Sequence, residues 1–152
     1  MTQPPADAPR PLTEADERHL RRAVALAALA REGGDPPFGS LLVGPGGEVL
    51  AEAHNTTVTE ADISLHPELK LAVWAARELD PATAARTTLY TSCQPCGMCA
   101  GAIERSFLGR VVYALSTAQL LALKPPAEPP APRTEGPALH DEAAAVVAGY
   151  YG

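Results

Sequence analysis

The alternation of helix and strand patterns along the chain predicts an α/β fold built as a single domain. Apolar segments with helical spacing are separated by short runs rich in valine, leucine, threonine and tyrosine. Strands that alternate with helices in this way commonly pair in parallel. The chain has 152 residues, of which 46% are hydrophobic. That is enough for one sizeable buried core and too little for two comfortable domains.

The first half of the chain opens with a segment that we expect to be a flexible arm, residues 1–11, because it holds four prolines and few apolar residues. Thr13 is a suitable N-cap for the helix that follows, and Gly33 and Gly34 are a suitable C-terminal stop. Two strands are then predicted at about 40–44 and 48–54, and the sequence "PGG" between them favours a hairpin turn.

The second half of the chain continues the alternation after a polar loop. The patterns predict, in order, a helix at 67–79, a strand at 87–92, a helix at 95–107, a strand at 110–115 and a short closing helix at 139–151. Six prolines fall within 124–137, so this stretch is expected to be a surface loop. Residues 12–152 are therefore interpreted as one domain.

Charge and hydropathy restrict the partners and the compartment. The net charge of −6 disfavours a polyanionic substrate such as a nucleic acid and fits a small neutral molecule better. The N-terminus lacks an apolar core of signal-peptide length, and no apolar run approaches the ~20 residues of a membrane span. We therefore expect a cytoplasmic protein, in which closely spaced cysteines are more often metal ligands or catalytic groups than disulfides.

The three cysteines of the chain indicate a zinc site. Cys96 and Cys99 follow Pro95, which suits the first position of a helix, so both sulfurs should project from the first turn. A helix N-terminus favours thiolate over thiol. His66 precedes another helix-opening proline, Pro67, and is the best candidate for a third ligand. One Zn²⁺ per chain is predicted.

Glu68 decides between a catalytic and a structural reading of this site. Its side chain is rotated about 200° from that of His66 on a helix, so the two are poorly placed to bind one ion, but Glu68 can reach a water bound to it. Three ligands, an open position and a carboxylate are the requirements of a hydrolytic zinc site. The alternative is a closed structural site in which Cys93 is the fourth ligand.

These residues resemble a known family. His66-x-Glu68 followed by Pro95-Cys96-x-x-Cys99 matches the signature of the cytidine-deaminase-like zinc deaminases. The sequences "PFG" at 37–39, "HN" at 54–55 and "LYTSCQPCGMCAGAI" at 89–103 are most similar to the branch of guanine deaminases and tRNA adenosine deaminases. The resemblance covers roughly residues 14–115.

The resemblance implies a fold and a set of residue roles. The fold would be a three-layer α/β/α sandwich around a mixed, mostly parallel, five-stranded sheet. The reaction would be hydrolytic deamination, in which Glu68 shuttles protons. Asn55 would hydrogen-bond the base, and Phe38 would wall the pocket or belong to the core. Relatives also imply a homodimer and a C-terminal tail that folds over the active site.

The substrate is predicted less sharply than the chemistry. Relatives commonly have alanine where this chain has Pro67, and proline has no backbone N–H to offer a substrate carbonyl. We expect a free nucleobase or nucleoside, with purines such as guanine, guanosine or adenosine ahead of cytosine or cytidine. The alternatives are a tRNA adenosine deaminase, which the acidic charge disfavours, and a non-catalytic subunit with structural zinc.

Overall fold

Within the part of the chain that the structure describes, the central sheet has four strands rather than the five expected. A computed structural model describes residues 11–125 and 129–152. The strands are β1 (Gly39–Val43), β2 (Val49–His54), β3 (Thr88–Cys93) and β4 (Arg110–Leu115). The helices are α1 (Glu14–Glu32), α2 (Pro67–Glu78), α3 (Pro81–Ala84), α4 (Gly97–Arg105), α5 (Thr117–Leu123) and α6 (His140–Val147).

The sheet is mixed and, as expected, mostly parallel, because β2, β3 and β4 run in one direction and β1 runs against them. The spatial order of the strands is β2-β1-β3-β4, and β1 pairs antiparallel with both of its neighbours. Only β3 and β4 pair in parallel. The helical crossover through α2 does make β2 and β3 run in the same direction, as the alternation suggests. The two strands are not adjacent, however, because the β1–β2 hairpin inserts β1 between them.

The fifth strand is absent from the part of the chain that the structure describes. It would have to come from the stretch after α5, where residues 129–137 contain no strand and are exposed throughout. Four prolines lie in these nine residues. Proline has no N–H for a sheet ladder, so this composition opposes pairing. Residues 126–128 lie outside the described residues, and the rest of 124–137 is exposed, as a surface loop requires.

Helices cover both faces of the sheet, which confirms the three layers. On one face, α1 packs against Leu41, Tyr90 and Val112 of successive strands. On the other face, Leu42 and Leu89 pack against the apolar residues of α2 and α4. Successive residues of a strand point to opposite faces of the sheet, so the side chains on both faces of the central strands β1 and β3 are buried. Burial is therefore continuous along Gly39–Val43 of β1 and from Leu89 to Cys93 of β3.

Gly39 allows α1 to approach the sheet closely. A Cβ atom built at Gly39 would lie 2.5 Å from the carbonyl oxygen of Ala23 and 2.5 Å from the amide nitrogen of Ala27. Backbone atoms cannot yield to a methyl group at this distance. Glycine is therefore needed here because of the close contact between strand and helix.

The helix starts agree with the sequence in α1 and α2 but not in α4. Thr13 and Asp16 form a complete capping box at the start of α1. Helix α4 begins at Gly97 with Cys96 as its N-cap, so Pro95 lies outside the helix rather than at its first position. Two short helices, α3 and α5, were not predicted. Both carry N-cap signals, Asp80 before Pro81 and the capping box of Ser116 and Gln119.

The chain termini contribute little to the packed structure. The predicted flexible arm lies outside the described residues except for Pro11. Helix α6 is shorter than the predicted 139–151, and every residue from 129 to 152 is exposed. The role of this tail as a cover for the active site stays a prediction. Among the helices of the described ranges, none combines the length and the apolarity needed to cross a bilayer.

Candidate active site

The three predicted zinc ligands come together between two helix N-termini. The coordinating atoms of His66, Cys96 and Cys99 all lie within 4.8 Å of one another. His66 is the N-cap residue of α2, and Cys96 is the N-cap residue of α4. Neither side chain makes a capping hydrogen bond, so both are available to a metal. Helices α2 and α4 pack side by side, which brings their first turns together.

The distances within this cluster fit tetrahedral zinc. The Nδ1 atom of His66 lies 3.5 Å from the Sγ of Cys99 and 3.7 Å from the Sγ of Cys96. Ordinary Zn–S and Zn–N bond lengths at a tetrahedral angle put a nitrogen and a sulfur ligand about 3.6 Å apart. The donor set of one imidazole and two thiols is also one that zinc prefers. The residues present therefore fit the metal.

Burial makes the thiol of Cys99 a poor acid unless a cation is present. Desolvation raises the pKa of the Cys99 thiol far above its ordinary value, and the negative charges of Glu68 and Cys96 raise it further. A divalent cation reverses this balance because it binds thiolate and neutralises the charges around it. Cys99 is fully buried, whereas Cys96 is exposed. The cluster therefore has one open side.

Glu68 lies next to the cluster and contacts side chains of the sheet. It is 5% exposed, its Oε1 atom accepts a hydrogen bond from the hydroxyl of Thr91 at 2.8 Å, and the hydroxyl oxygen of Ser40 lies 3.2 Å from the same Oε1. The carboxylate is close enough to the Cys99 thiol to raise its pKa both by charge and by a hydrogen bond. The structure thus brings Glu68 and the three ligands to one place.

Cys93 does not join the metal cluster. Its thiol is buried at the end of β3, and it is absent from the group of mutually close ligand atoms among the described residues. Burial raises the pKa of the Cys93 thiol, and the charge of Glu68 contributes to this rise. The geometry gives no support to a closed site with three cysteines.

Asn55 and Phe38 lie together at the sheet end that holds the cluster. Asn55 follows β2 directly, is 2% exposed, and its backbone N–H donates to the carbonyl of Phe38 at 3.0 Å. The Oδ1 of Asn55 accepts from the backbone N–H of Thr57 at 2.9 Å. Since a backbone N–H can only donate, the atom that receives it must be the oxygen. The NH₂ group of Asn55 is therefore the end that can face a ligand. Phe38 is half-buried.

Three residues near the site were missed by sequence reasoning. Ser40 precedes the apolar residues of β1, Thr91 follows Leu89 and Tyr90 in β3, and both are fully buried. Lys70 lies one turn after His66 on α2 and donates to the carbonyl oxygen of His54 at 2.9 Å and to the hydroxyl of Thr56 at 2.7 Å. A hydroxyl residue next to apolar residues was the available signal for the first two, and in β3 it did not distinguish Thr91 from Thr88 or Ser92. Lys70 resembles any solvated helix residue in sequence.

Comparison with known proteins agrees with this geometry. The sequence model of the family described as "Cytidine and deoxycytidylate deaminase zinc-binding region" matches residues 13–115. A probable cytosine deaminase of Schizosaccharomyces pombe is 36% identical over 115 residues, which are 74% of this chain and 67% of that protein. A guanine deaminase of Bacillus subtilis is 37% identical over 99 residues, 64% of this chain and 63% of that protein.

One further relative and one solved structure extend the comparison. A tRNA-specific adenosine deaminase of Bacillus subtilis is 37% identical over 98 residues, which are 64% of this chain and 60% of that protein. The match thus spans about three fifths to two thirds of the length of these relatives. The X-ray structure of guanine deaminase from Bacillus subtilis superposes with a TM-score of 0.69 and 27% identity, covering 90% of this chain and 93% of that one.

The match to the family covers more than half of the chain and includes all three ligands and Glu68. Membership of this family confirms the predicted resemblance, the zinc cofactor and the enzyme class. The homodimer and the cytoplasmic location stay predictions. The chain belongs to the zinc-binding cytidine and deoxycytidylate deaminase family.

Proposed function

We propose that the protein removes an amino group from a free nucleobase or nucleoside and releases it as ammonia. Purines such as guanine, guanosine or adenosine are the favoured substrates, and cytosine or cytidine are a further class. The observation that carries the proposal is the position of the Glu68 carboxylate, buried beside a cluster of three zinc ligands that has an open side.

The proposed reaction uses one metal ion, one carboxylate and one water molecule. When bound to three protein ligands, zinc acts as a Lewis acid that lowers the pKa of a water molecule toward ~7. Glu68 would take a proton from the attacking water and deliver it to a ring nitrogen, and the oxygen of that water would bond to the carbon that carries the amino group. Glu68 would then move the proton of the new hydroxyl group to the amino nitrogen as the C–N bond breaks. The products are a ring carbonyl and ammonia.

Asn55 is proposed to orient the base. Because its oxygen is occupied by Thr57, its NH₂ group would donate to an acceptor on the substrate, such as a ring nitrogen or a carbonyl oxygen. Phe38 is joined to Asn55 through the backbone and would wall the same pocket. Both roles follow from the position of the residues at this end of the sheet.

The distribution of charge supports a small substrate. Helix α1 carries Arg18, Arg21, Arg22 and Arg31 and packs on the sheet face opposite to α2 and α4. Two of these arginines are paired with carboxylates, Arg21 with Glu17 and Arg22 with Glu52. Within the described ranges the densest basic group is therefore remote from the metal cluster. A polyanionic substrate would need basic residues around the site itself.

A tRNA adenosine deaminase is the second candidate. It is favoured by the 37% identity to a tRNA-specific adenosine deaminase. The net charge of −6 opposes it. A non-catalytic zinc subunit is a third alternative, but it does not explain why the carboxylate of Glu68 is buried beside the zinc ligands.

One assay separates these candidates. Zinc-loaded protein is incubated with guanine, guanosine, adenosine, cytosine and cytidine, and with a tRNA that carries adenosine at the wobble position, and the release of ammonia is measured. Glu68→Gln is the control, since it keeps the size of the side chain and removes the base. We expect turnover of at least one free base or nucleoside by the wild-type protein and none by Glu68→Gln with zinc still bound. Turnover of the tRNA alone would favour the second candidate, and no turnover of any substrate would refute the proposal.

A further inference from the structure

Two buried hydroxyls stand directly behind the carboxylate of Glu68. Ser40 on β1 and Thr91 on β3 are partners in the antiparallel register, so their side chains lie side by side on the same face of the sheet. Both residues are 0% exposed. The Oγ of Ser40 lies 2.8 Å from the Oγ1 of Thr91, which in turn lies 2.8 Å from the Oε1 of Glu68.

The number of available protons fixes which group donates in each of these hydrogen bonds. Each hydroxyl has one proton to donate. Thr91 donates to Glu68, because the carboxylate at this contact can only accept. Ser40 lies nearer to Thr91 than to Glu68, at 2.8 Å against 3.2 Å, so its proton goes to Thr91. Successive hydrogen bonds in a buried environment strengthen one another.

The two oxygens of the Glu68 carboxylate are therefore not equivalent. Both hydroxyl contacts are made to Oε1. Oε1 is held toward the sheet as an acceptor, which leaves Oε2 as the oxygen that can receive and release a proton. A carboxylate on a three-bond side chain would otherwise rotate between several orientations.

We propose that Ser40 and Thr91 are positioning residues that hold the Glu68 carboxylate by its Oε1 atom, so that Oε2 carries the protons of the deamination. This inference rests on the proposed function for its catalytic consequence, but the orientation of the side chain can be observed without turnover. Neither residue touches the substrate. Their effect is on the geometry of proton transfer, where a displacement of about 1 Å can lower the rate about 100-fold.

The variants Thr91→Val and Thr91→Ser separate positioning from packing. Valine keeps the shape of threonine and removes the hydroxyl, whereas serine keeps the hydroxyl and removes the methyl group. Thr87→Val is the matched control, because Thr87 is also fully buried and its hydroxyl donates to the carbonyl of Thr83, away from the site. All three variants are compared with wild-type protein for zinc content, melting temperature, kcat and KM.

The expected result is specific to one variant. Thr91→Val should lower kcat about 10- to 100-fold on the best substrate, with KM changed less than about threefold and zinc retained. Thr91→Ser should keep most of the wild-type kcat. Thr87→Val should lower the melting temperature with little change in kcat. Equal kcat losses in the two Thr91 variants, or an unchanged kcat in Thr91→Val, would overturn the inference.

Two further measurements keep the test decisive. If Thr91→Val fails to fold, Ser40→Ala replaces it, with an expected few-fold loss in kcat and an unchanged kcat as the contrary result. If the wild-type protein deaminates none of the substrates, the proposed function fails, and the inference is tested by crystal structures of zinc-loaded wild-type and Thr91→Val proteins. A Glu68 carboxylate that turns only in the variant supports the inference, and one that keeps its orientation contradicts it.

Discussion

The ammonium group of Lys70 lies 2.9 Å from the backbone carbonyl oxygen of His54. It also donates to the hydroxyl of Thr56 at 2.7 Å, so it holds the chain on both sides of Asn55. Lys70 belongs to the same helix as Glu68. This one side chain therefore ties the segment proposed to bind the base to the helix proposed to carry the chemistry.

Replacing Lys70 with methionine is expected to weaken substrate binding more than catalysis. Methionine keeps the apolar stem but loses both hydrogen bonds of the ammonium group, which leaves Asn55 less firmly placed. We expect KM to rise about tenfold, a size typical of one charged hydrogen bond, with kcat changed much less. Steady-state kinetics on the best substrate is the measurement. Lys124→Met is the control, because Lys124 is exposed after α5. A loss confined to kcat would contradict this role.

The zinc ligands can be tested without any substrate. Cys96→Ser and Cys99→Ser should each abolish zinc retention, because a serine hydroxyl is a much weaker ligand than a thiolate at neutral pH. Cys93→Ser should retain one zinc per chain, since Cys93 lies outside the cluster. Metal analysis after gel filtration measures both results. Loss of zinc from Cys93→Ser would instead support the closed structural site in which Cys93 is the fourth ligand.

Asn55→Asp tests the proposal that the NH₂ group of Asn55 donates a hydrogen bond to the substrate base. Aspartate keeps an oxygen for the backbone N–H and hydroxyl of Thr57 but replaces the NH₂ group by a second acceptor. We expect kcat/KM to fall about 10- to 100-fold, since a substrate acceptor would then face an acceptor. Thr57→Val, which removes one bond to the Asn55 oxygen and leaves the NH₂ group, should cost much less. Equal losses in the two variants would show that Asn55 is needed for local structure only.

Asp16 is expected to make the folded state sensitive to acid. Its carboxylate accepts from Arg110 at 2.9 Å and 3.0 Å and from Tyr90 at 2.6 Å. The Arg110 guanidinium holds the pKa of Asp16 far below its ordinary value, although burial opposes the shift. A lowered folded-state pKa adds stability that is fully present above the unfolded pKa of ~3.9 and is lost as the pH falls below it.

The corresponding variant is Asp16→Asn. We expect it to lower the free energy of unfolding at pH 7 by about 2 kcal/mol, through the loss of a charged hydrogen-bond network that is partly exposed at Arg110. The difference from wild type should shrink as the pH falls from ~4 toward 2, because the Asp16 carboxylate of the unfolded chain takes up a proton in this range while that of the folded protein stays ionised. Urea titrations at several pH values measure this. A difference that is independent of pH would contradict the assignment.

Gly39→Ala tests the close contact between β1 and α1. The added methyl group would lie 2.5 Å from backbone atoms of α1, so the helix must shift. We expect a loss of about 3 kcal/mol or more in the free energy of unfolding, at the upper end for overpacking. Gly97→Ala is the control, because a Cβ there meets nothing within 4 Å. Comparable melting temperatures for the two variants would refute the steric argument.

The zinc ligands could be predicted because their spacing is local. Cys96 and Cys99 are three residues apart, and proline precedes the cysteine pair and follows His66. The helix starts followed from the same residues, with an error of two positions in α4. The roles of Ser40 and Thr91 could not be predicted, because they depend on the register that sets β1 against β3, and no local pattern specifies which residue lies across a sheet.

The spatial order and the number of the strands could not be predicted for the same reason. The chain order revealed a helical crossover, and a crossover does make two strands parallel, but it does not tell which strand lies between them. The hairpin of β1 and β2 placed an antiparallel neighbour there. The fifth strand was implied by resemblance alone, and the prolines of 129–137 oppose it in this chain.

The amino-acid sequence by itself determined which groups can hold zinc, which carboxylate lies next to one of them along the chain and where the longer helices lie, since these depend on neighbours within a few residues. Only the tertiary structure decided that His66 meets two sulfurs from a helix 30 residues away, that Thr91 holds one oxygen of Glu68, and that Lys70 ties Asn55 to the same helix. The physical reason is that these contacts join separate elements, and their distances are set by how the helices pack on the sheet.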